Sequence, residues 1–420
     1  MFKKFKSTYK EYPGPFRVLV LATFIDRLGS FLLFPFFALY ITARFSVGMT
    51  QVGLLFTILS AGSILGSMVG GALADKFGRR KLILFGLVVS GIGSIFMGII
   101  DDLFGFYILA AVLGILGDFG GPARQAMVVD LLGKDKQAEG FGILRVAVNL
   151  SAVIGPILGG VIVAQSSYLF LFIADAVSSI ITAVIVFVVI PETKPEKEDD
   201  KPEETVMKTL AGYKEVLKDA QYVLFLAVSA ITVLVYMQLN STLSVFLRDV
   251  HNFPAWKFGF LLSTNALMVV VLQFWVTRKV SKYAPMKVMA VGTLLYMVGF
   301  GLYGFVSEEY LFFTAMIILT IGEMVEMPIA QSVAASFAPE DKRGRYMAAF
   351  GFHWAIPNLF GVLLAGVVID TLGPNWVWYF AGILSFISAV GFWMLHNVTK
   401  ERFVKIKDEI DQELKFNVTS

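Results

Sequence analysis

Residues 52–81 read VGLLFTILSAGSILGSMVGGALADKFGRRK. From Val52 to Ala74 no side chain carries a charge, and the run is long enough to cross the hydrocarbon of a bilayer as a helix. It ends abruptly in Asp75, Lys76, Arg79, Arg80 and Lys81. An apolar helix stopping at a basic cluster is a membrane span meeting an aqueous face.

The same pattern recurs along the chain. Twelve apolar runs are long enough to span: Arg17–Ile41, Val52–Ala74, Leu82–Ile100, Leu103–Leu132, Phe141–Ala164, Tyr168–Ile190, Val223–Phe246, Phe258–Val276, Val288–Val306, Leu311–Phe337, Met347–Ile369 and Val377–Leu395. The composition agrees, with 57% hydrophobic and 16% charged residues where a soluble domain has about a quarter charged. The first run is too long for a signal peptide, and no small-residue cleavage site follows it, so it is expected to remain as a span.

Of 35 Lys and Arg residues, only Arg44, Arg248 and Lys257 fall in the loops opposite the termini, and Arg27, Arg124 and Arg145 fall within spans. The rest lie on the terminal side. The positive-inside rule therefore predicts a multi-pass protein of the inner (cell) membrane with both termini cytoplasmic. The chain has no cysteine and three histidines without paired spacing, which excludes disulfides, thiolate metal sites and cysteine nucleophiles, and argues against any bound metal. No constellation of catalytic side chains is visible, so an enzyme is not expected. A sensor would need a large aqueous domain, and none is seen. No nucleic-acid-binding feature is present either.

Between the sixth and seventh spans, residues 191–204 form a charged, proline-bearing linker that cannot bury itself. Val206, Leu210, Tyr213, Val216 and Leu217 then recur at helical spacing among lysines, which predicts an amphipathic surface helix serving as a connector. The expected organisation is a first bundle over 1–190, a linker over 191–221, a second bundle over 222–397 and a tail over 398–420.

The two halves repeat. A shift of 206 residues places Gly53 on Gly259, Gly86 on Gly292, Lys81 on Lys287, Pro122 on Pro328, Gln125 on Gln331, Gly155 on Gly361 and Gly160 on Gly366. One constant offset across six helices is the mark of an internal duplication. The predicted fold is an all-α membrane protein of twelve transmembrane helices in two pseudo-symmetric six-helix bundles. Transporters built this way bind substrate near the midplane.

Residues 71–81 match at every fixed position the signature G-x-L-A-D-[RK]-x-G-[RK]-[RK], and on it the chain resembles the major facilitator superfamily. Gly71 permits close helix approach and Gly78 a tight turn. The resemblance implies that Asp75, with Arg79, Arg80 and Asp130, forms a conformational latch: Asp75 near the positive end of the eleventh helix, Arg79 bridging to Asp130. On the fifth span Asn149–Gly160, with Gly155, Pro156, Gly159 and Gly160, is similar to the antiporter motif G-x-x-x-G-P-x-x-G-G, Ser151 replacing its first glycine. That motif accompanies exchange of substrate for protons. Residues 321–331 and 339–346 look like the bacterial twelve-helix drug:proton antiporters, most closely their lactococcal multidrug branch. The chain departs from that pattern at Leu113, where an arginine is usual, and at the Leu144/Arg145 region and Asn240, where that branch carries acids.

A charge at mid-bilayer is costly unless paired or hydrated, so embedded charges mark function. Glu323, Asp118 and Asp26 lie near the midplane and are candidate proton-coupling groups, with Glu326 as a second site one turn from Glu323. Asp26 has a competing reading, a structural ion pair with Arg124 or Arg145. Arg27, Arg124 and Arg145 are expected in buried ion pairs, Arg145 with Asp130 or Asp26, and Asp175 is read as structural. Tyr236, Gln238, Asn240, Asn265, His353, Trp354 and Asn358 are candidate substrate-binding residues, the amphipathic and polar groups of an otherwise apolar pocket that suits a lipophilic ligand. The expected function is a monomeric, proton-coupled exporter of small amphipathic compounds that uses the proton gradient and no cofactor. A carrier of a metabolite, sugar or lipid-linked substrate is the alternative.

Overall fold

The computed structural model describes residues 11–133, 136–194, 216–339 and 342–419. The connector helix expected over Val206–Leu217 falls largely outside them. Among the described residues there is no strand, and twelve helices are long and apolar enough to cross a membrane. They are α1 Gly14–Phe45, α2 Met49–Phe77, α3 Arg79–Ile99, α4 Leu103–Leu131, α5 Glu139–Gln165, α6 Leu169–Val189, α7 Ala220–Asn240, α8 Ala255–Val280, α9 Pro285–Leu302, α10 Glu309–Phe337, α11 Arg343–Leu372 and α12 Trp376–Lys400. The outward surfaces of these helices are apolar: Phe274, Phe104, Met68 and Val188 all stand exposed. A water-soluble helix would reverse that arrangement.

The helix breaks follow from local chemistry. In α1 a 3-10 turn, Phe34–Phe36, is set by Pro35, which cannot donate to the preceding turn. In α7 a 3-10 turn, Met237–Asn240, interrupts the helix, which resumes as Thr242–His251. The duplication carries Phe34 onto Asn240, so the α7 kink begins three residues ahead of the matched position. In α4 the helix stops at Gly117 and restarts at Gly120. Pro122 has no N–H for the Asp118 carbonyl, and Gly121 N–H donates to that oxygen instead, at 3.1 Å. In α10 the matching Pro328 leaves the Met324 carbonyl orphaned, yet the helix continues. There Gln273 Nε2 of α8 donates to the Met324 oxygen at 3.0 Å and takes the place of the lost bond.

The contacts form two compact units. The first holds α1–α6 together with Gln238–Val270 and Asn358–Pro374, the parts of α7, α8 and α11 remote from the termini. Its core near the terminal face is Phe16, Leu19, Ala74, Ile83, Met127 and Val186. The second unit holds the rest of α7, α8 and α11 with α9, α10 and α12, packed around Tyr222, Phe225, Met289, Val333, Phe337 and Phe392. At the start of α7 its terminal face is braced by Asp219. That carboxylate accepts from Arg402 at 3.1 and 2.9 Å, from Tyr346 Oη at 3.1 Å and from Tyr222 N–H at 3.2 Å. Burial pushes the Asp219 carboxyl up, but these donors outweigh it and hold the group below the usual carboxylate range. The brace is therefore intact at neutral pH and is lost as pH falls through that lowered value.

Candidate functional site

The signature loop lies in the first unit, at the terminal face. Gly78 takes φ +102°, a conformation glycine adopts without strain, and turns the chain directly into α3. Arg79 is buried, with Nη2 at 3.1 Å from Asp75 Oδ1, Nε at 3.2 Å from Asp130 Oδ2 and Nη1 donating to the Ala74 carbonyl at 3.2 Å. The bridge from Arg79 to Asp130 that the resemblance implied is thus present in the geometry.

One residue of this cluster went unnoticed in the sequence. Glu192, just past α6, accepts from the N–H groups of Arg79 at 2.7 Å and Arg80 at 3.3 Å, capping the start of α3. Thr193 Oγ1 donates to Asp130 Oδ2 at 3.0 Å, Lys194 Nζ to the Lys76 carbonyl at 2.8 Å, and Arg80 to the Phe187 carbonyl. Residues 191–194 were expected to be solvated linker, and here they are strapped onto the loop. The reason is that helix starts leave four N–H groups unsatisfied, and Gly78 offers no side chain to accept from them. The only prior signal was a Glu placed next to a span end. Glu192→Ala is expected to lower stability by about 0.5–2 kcal/mol, read as a lower melting temperature of the purified protein, with Glu192→Gln between the two.

Among the embedded charges of this unit, Asp26 is buried and paired with Arg124 Nη1 at 2.9 Å, joining α1 to the second half of α4. Asp118 sits at the α4 break and accepts from Ser63 Oγ of α2 at 2.8 Å. Two expectations are corrected. Among the described residues neither Arg27 nor Arg145 makes an ion pair: Arg145 is exposed on α5, while Arg27 is set back among the charges of Asp26, Asp118 and Arg124 without closing on either carboxylate. Arg27 follows Asp26 directly and so points off the helix face that Asp26 uses, while Asp130 is already occupied by Arg79. Asp175 is buried on α6.

The antiporter-like glycines are backbone contacts. A side chain at Gly155 would meet Phe31 Cβ at 2.6 Å, and one at Gly159 would strike Phe36. One at Gly160 would come within 2.8 Å of Trp256 Cα. Pro156 and Ile157 of α5 lie against Gly259 of α8, and their repeat partners Val362 and Leu363 of α11 lie against Gly53 of α2. Gly160 against Ala255 and Trp256 is matched in the same way by Gly366 against Met49 and Thr50. The duplication thus builds two equivalent glycine seams at the face away from the termini.

In the second unit Glu323 and Glu326 lie one turn apart on α10, close enough for their charges to interact. Tyr236 Oη donates to Glu323 Oε1 at 3.2 Å. The Tyr236 ring stacks on Tyr296 with centroids 6.3 Å apart and meets Trp354 edge-on at 5.9 Å. Glu326 is 5% exposed, with its Cβ pressed against Gly292 of α9. The Tyr296 hydroxyl is buried without a hydrogen-bond partner. An acidic pair with one tyrosine donor and aromatic walls can hold a proton or a cationic group.

Of the other predicted binding residues, His353 meets Trp354 edge-on with centroids 6.0 Å apart. His353 is buried, bonded through Nδ1 to the Phe350 carbonyl and stacked on Phe350 at 3.9 Å, so it serves the α11 break at Gly351. Gln238, Asn240, Asn265 and Asn358 belong to the first unit. Gln238 is corrected: it is buried, its Nε2 donates to the Gly361 carbonyl at 3.2 Å, and its Oε1 accepts from Thr242. Both ends of its amide are engaged in holding the α7 kink. Asn240 is half-buried in that kink, Asn265 half-buried on α8, and Asn358 exposed.

Comparison with known proteins agrees with this architecture. The chain is 25% identical over 94% of its length to a Na(+), Li(+), K(+)/H(+) antiporter of Planococcus maritimus, covering 99% of that protein. It is 22% identical over 92% of its length to the multidrug resistance protein MdtH of Salmonella newport, covering 96% of it. Among solved structures the nucleoside transporter NupG superposes with a TM-score of 0.80 at 13% identity, over 91% of this chain and all of that one, which reflects the fold alone. The sequence profile of the Major Facilitator Superfamily matches residues 19–361 and, again, 258–415. With twelve spans, a duplicated plan and a profile match over most of its length, the chain is a multi-pass membrane transporter and belongs to the Major Facilitator Superfamily.

Proposed function

We propose that this transporter is a proton-coupled antiporter, oriented with both termini cytoplasmic, that exports small amphipathic organic compounds by alternating access. The observation that carries this reading is the pair Glu323 and Glu326 with Tyr236 on one carboxylate and Trp354 beside it. A carboxylate pair held in an apolar bundle exchanges protons with whatever cation competes for it. Aromatic faces favour a lipophilic or singly cationic body over a polyhydroxylated one, because each unmet buried hydroxyl costs about 1–3 kcal/mol. The likeness to MdtH and the antiporter-like glycines of α5 support export. Asp75, paired with Arg79, is in this reading a latch residue of the terminal face.

A second reading has its own support. The Planococcus relative exchanges alkali cations for protons, and an oxygen-rich acidic pair suits such ions as well. Proteoliposomes with an imposed pH gradient separate these cases, assayed with a monocationic dye, with Na+ and K+, and with simple sugars. Dye movement driven by the gradient is the expected result. Cation movement without dye transport would establish the second reading, and sugar transport alone would promote the metabolite carrier.

A further inference from the structure

The start of α2 has no cap of its own. Its N-cap is Gly48, and the first amides of the helix, those of Met49 and Thr50, are satisfied from the other half of the sequence. Asp370 Oδ1 accepts from Met49 N–H at 3.0 Å, and Oδ2 accepts from Thr50 N–H at 2.7 Å. Asp370 itself stands in the last turn of α11, where the negative end of the helix disfavours a carboxylate. Facing the positive end of α2 reverses that penalty. Gly48 is part of the arrangement: a side chain there would come within 2.6 Å of Asp370 Oδ2 and push the carboxylate off.

The duplication provides an internal control. The equivalent seam, α8 on α5, has the same glycine packing, Gly160 on Trp256 against Gly366 on Met49. Yet the position matching Asp370 is Ala164, and the one matching Gly48 is Pro254. Of two matched backbone seams, one carries a carboxylate on a helix start and its twin has an alanine in the carboxylate's place.

We infer that Asp370 is a positioning residue of the transport cycle. It holds α11 against α2 at the face away from the termini, and the contact is given up when that face opens and water takes over the Met49 and Thr50 amides. The inference rests on the transport function of the family and not on the nature of the cargo, so failure of the drug-export reading leaves it standing.

The full chain contains no cysteine, so paired nitroxides can be placed directly on Phe104→Cys and Thr371→Cys, two exposed positions at this face. Electron-electron distance measurements in lipid nanodiscs then report closed and open populations. Asp370→Ala is expected to raise the population with the longer distance by roughly threefold or more, in keeping with a charge at a helix end. Gly48→Ser separates gating from mere helix capping. Its hydroxyl supplies a local acceptor for the α2 amides and so maintains the melting temperature, while its bulk displaces Asp370. The same shift toward the open population in Gly48→Ser, at unchanged melting temperature, is the expected result. Unchanged populations in Gly48→Ser overturn the inference, whether or not Asp370→Ala folds. A lower melting temperature in Asp370→Ala with no change in distance would reduce Asp370 to a structural cap, and would overturn it equally.

Discussion

Glu323→Gln is expected to reduce pH-gradient-driven transport in proteoliposomes to the level of empty vesicles while leaving the protein folded. Glutamine keeps the shape of the side chain, and its carbonyl oxygen still accepts from Tyr236 Oη, so the packing of Tyr236 against Tyr296 and Trp354 survives. What is lost is the group that can bind and release a proton. A coupling residue acts only through that exchange, so substrate-for-substrate exchange without a gradient should persist, as in any carrier whose coupling alone is broken. Uphill transport at the wild-type rate by this variant would remove Glu323 from the coupling role. Loss of the ungated exchange as well would show that it binds the cargo directly.

The second large effect is on stability. Arg124→Gln leaves Asp26 buried between α1 and α4 without its cationic partner, and breaking a buried pair from one side costs about 3–5 kcal/mol. The double variant Asp26→Asn with Arg124→Gln removes both charges and is expected to recover most of that loss, since two neutral amides can bond to each other. Thermal unfolding of the four proteins of this cycle gives the coupling directly. A single Arg124→Gln as stable as the parent would mean that water reaches Asp26 and that the pair holds nothing together. Such a result would return Asp26 to the list of proton-carrying candidates.

Much of this protein is set by local and periodic features. Runs of apolar residues must become helices in lipid, because no water is present to satisfy the backbone. The twelve spans, their order and the duplication were for that reason readable from residues such as Val52–Ala74 and from the matched Gly53 and Gly259. The glycines of the fifth span announced close packing, which depends on residue size alone, whereas the bridge from Arg79 to Asp130 came only from the loop's resemblance to a family signature.

What the chain could not declare by itself is which distant groups meet. Whether an embedded arginine finds a carboxylate depends on helix rotation, and it sends Arg124 to Asp26 but gives Arg27 and Arg145 no ion pair among the described residues. Whether a polar side chain faces a ligand or repairs a backbone depends on where a backbone group has been left without a partner. The carbonyl orphaned by Pro328 took Gln273, and the uncapped start of α3 took Glu192. The pairing of Asp370 with amides 321 and 320 residues earlier in the chain is of the same kind. Hydrophobic period and length are properties of a segment. Satisfaction of an orphaned donor is a property of the packed whole, and only the tertiary structure decides it.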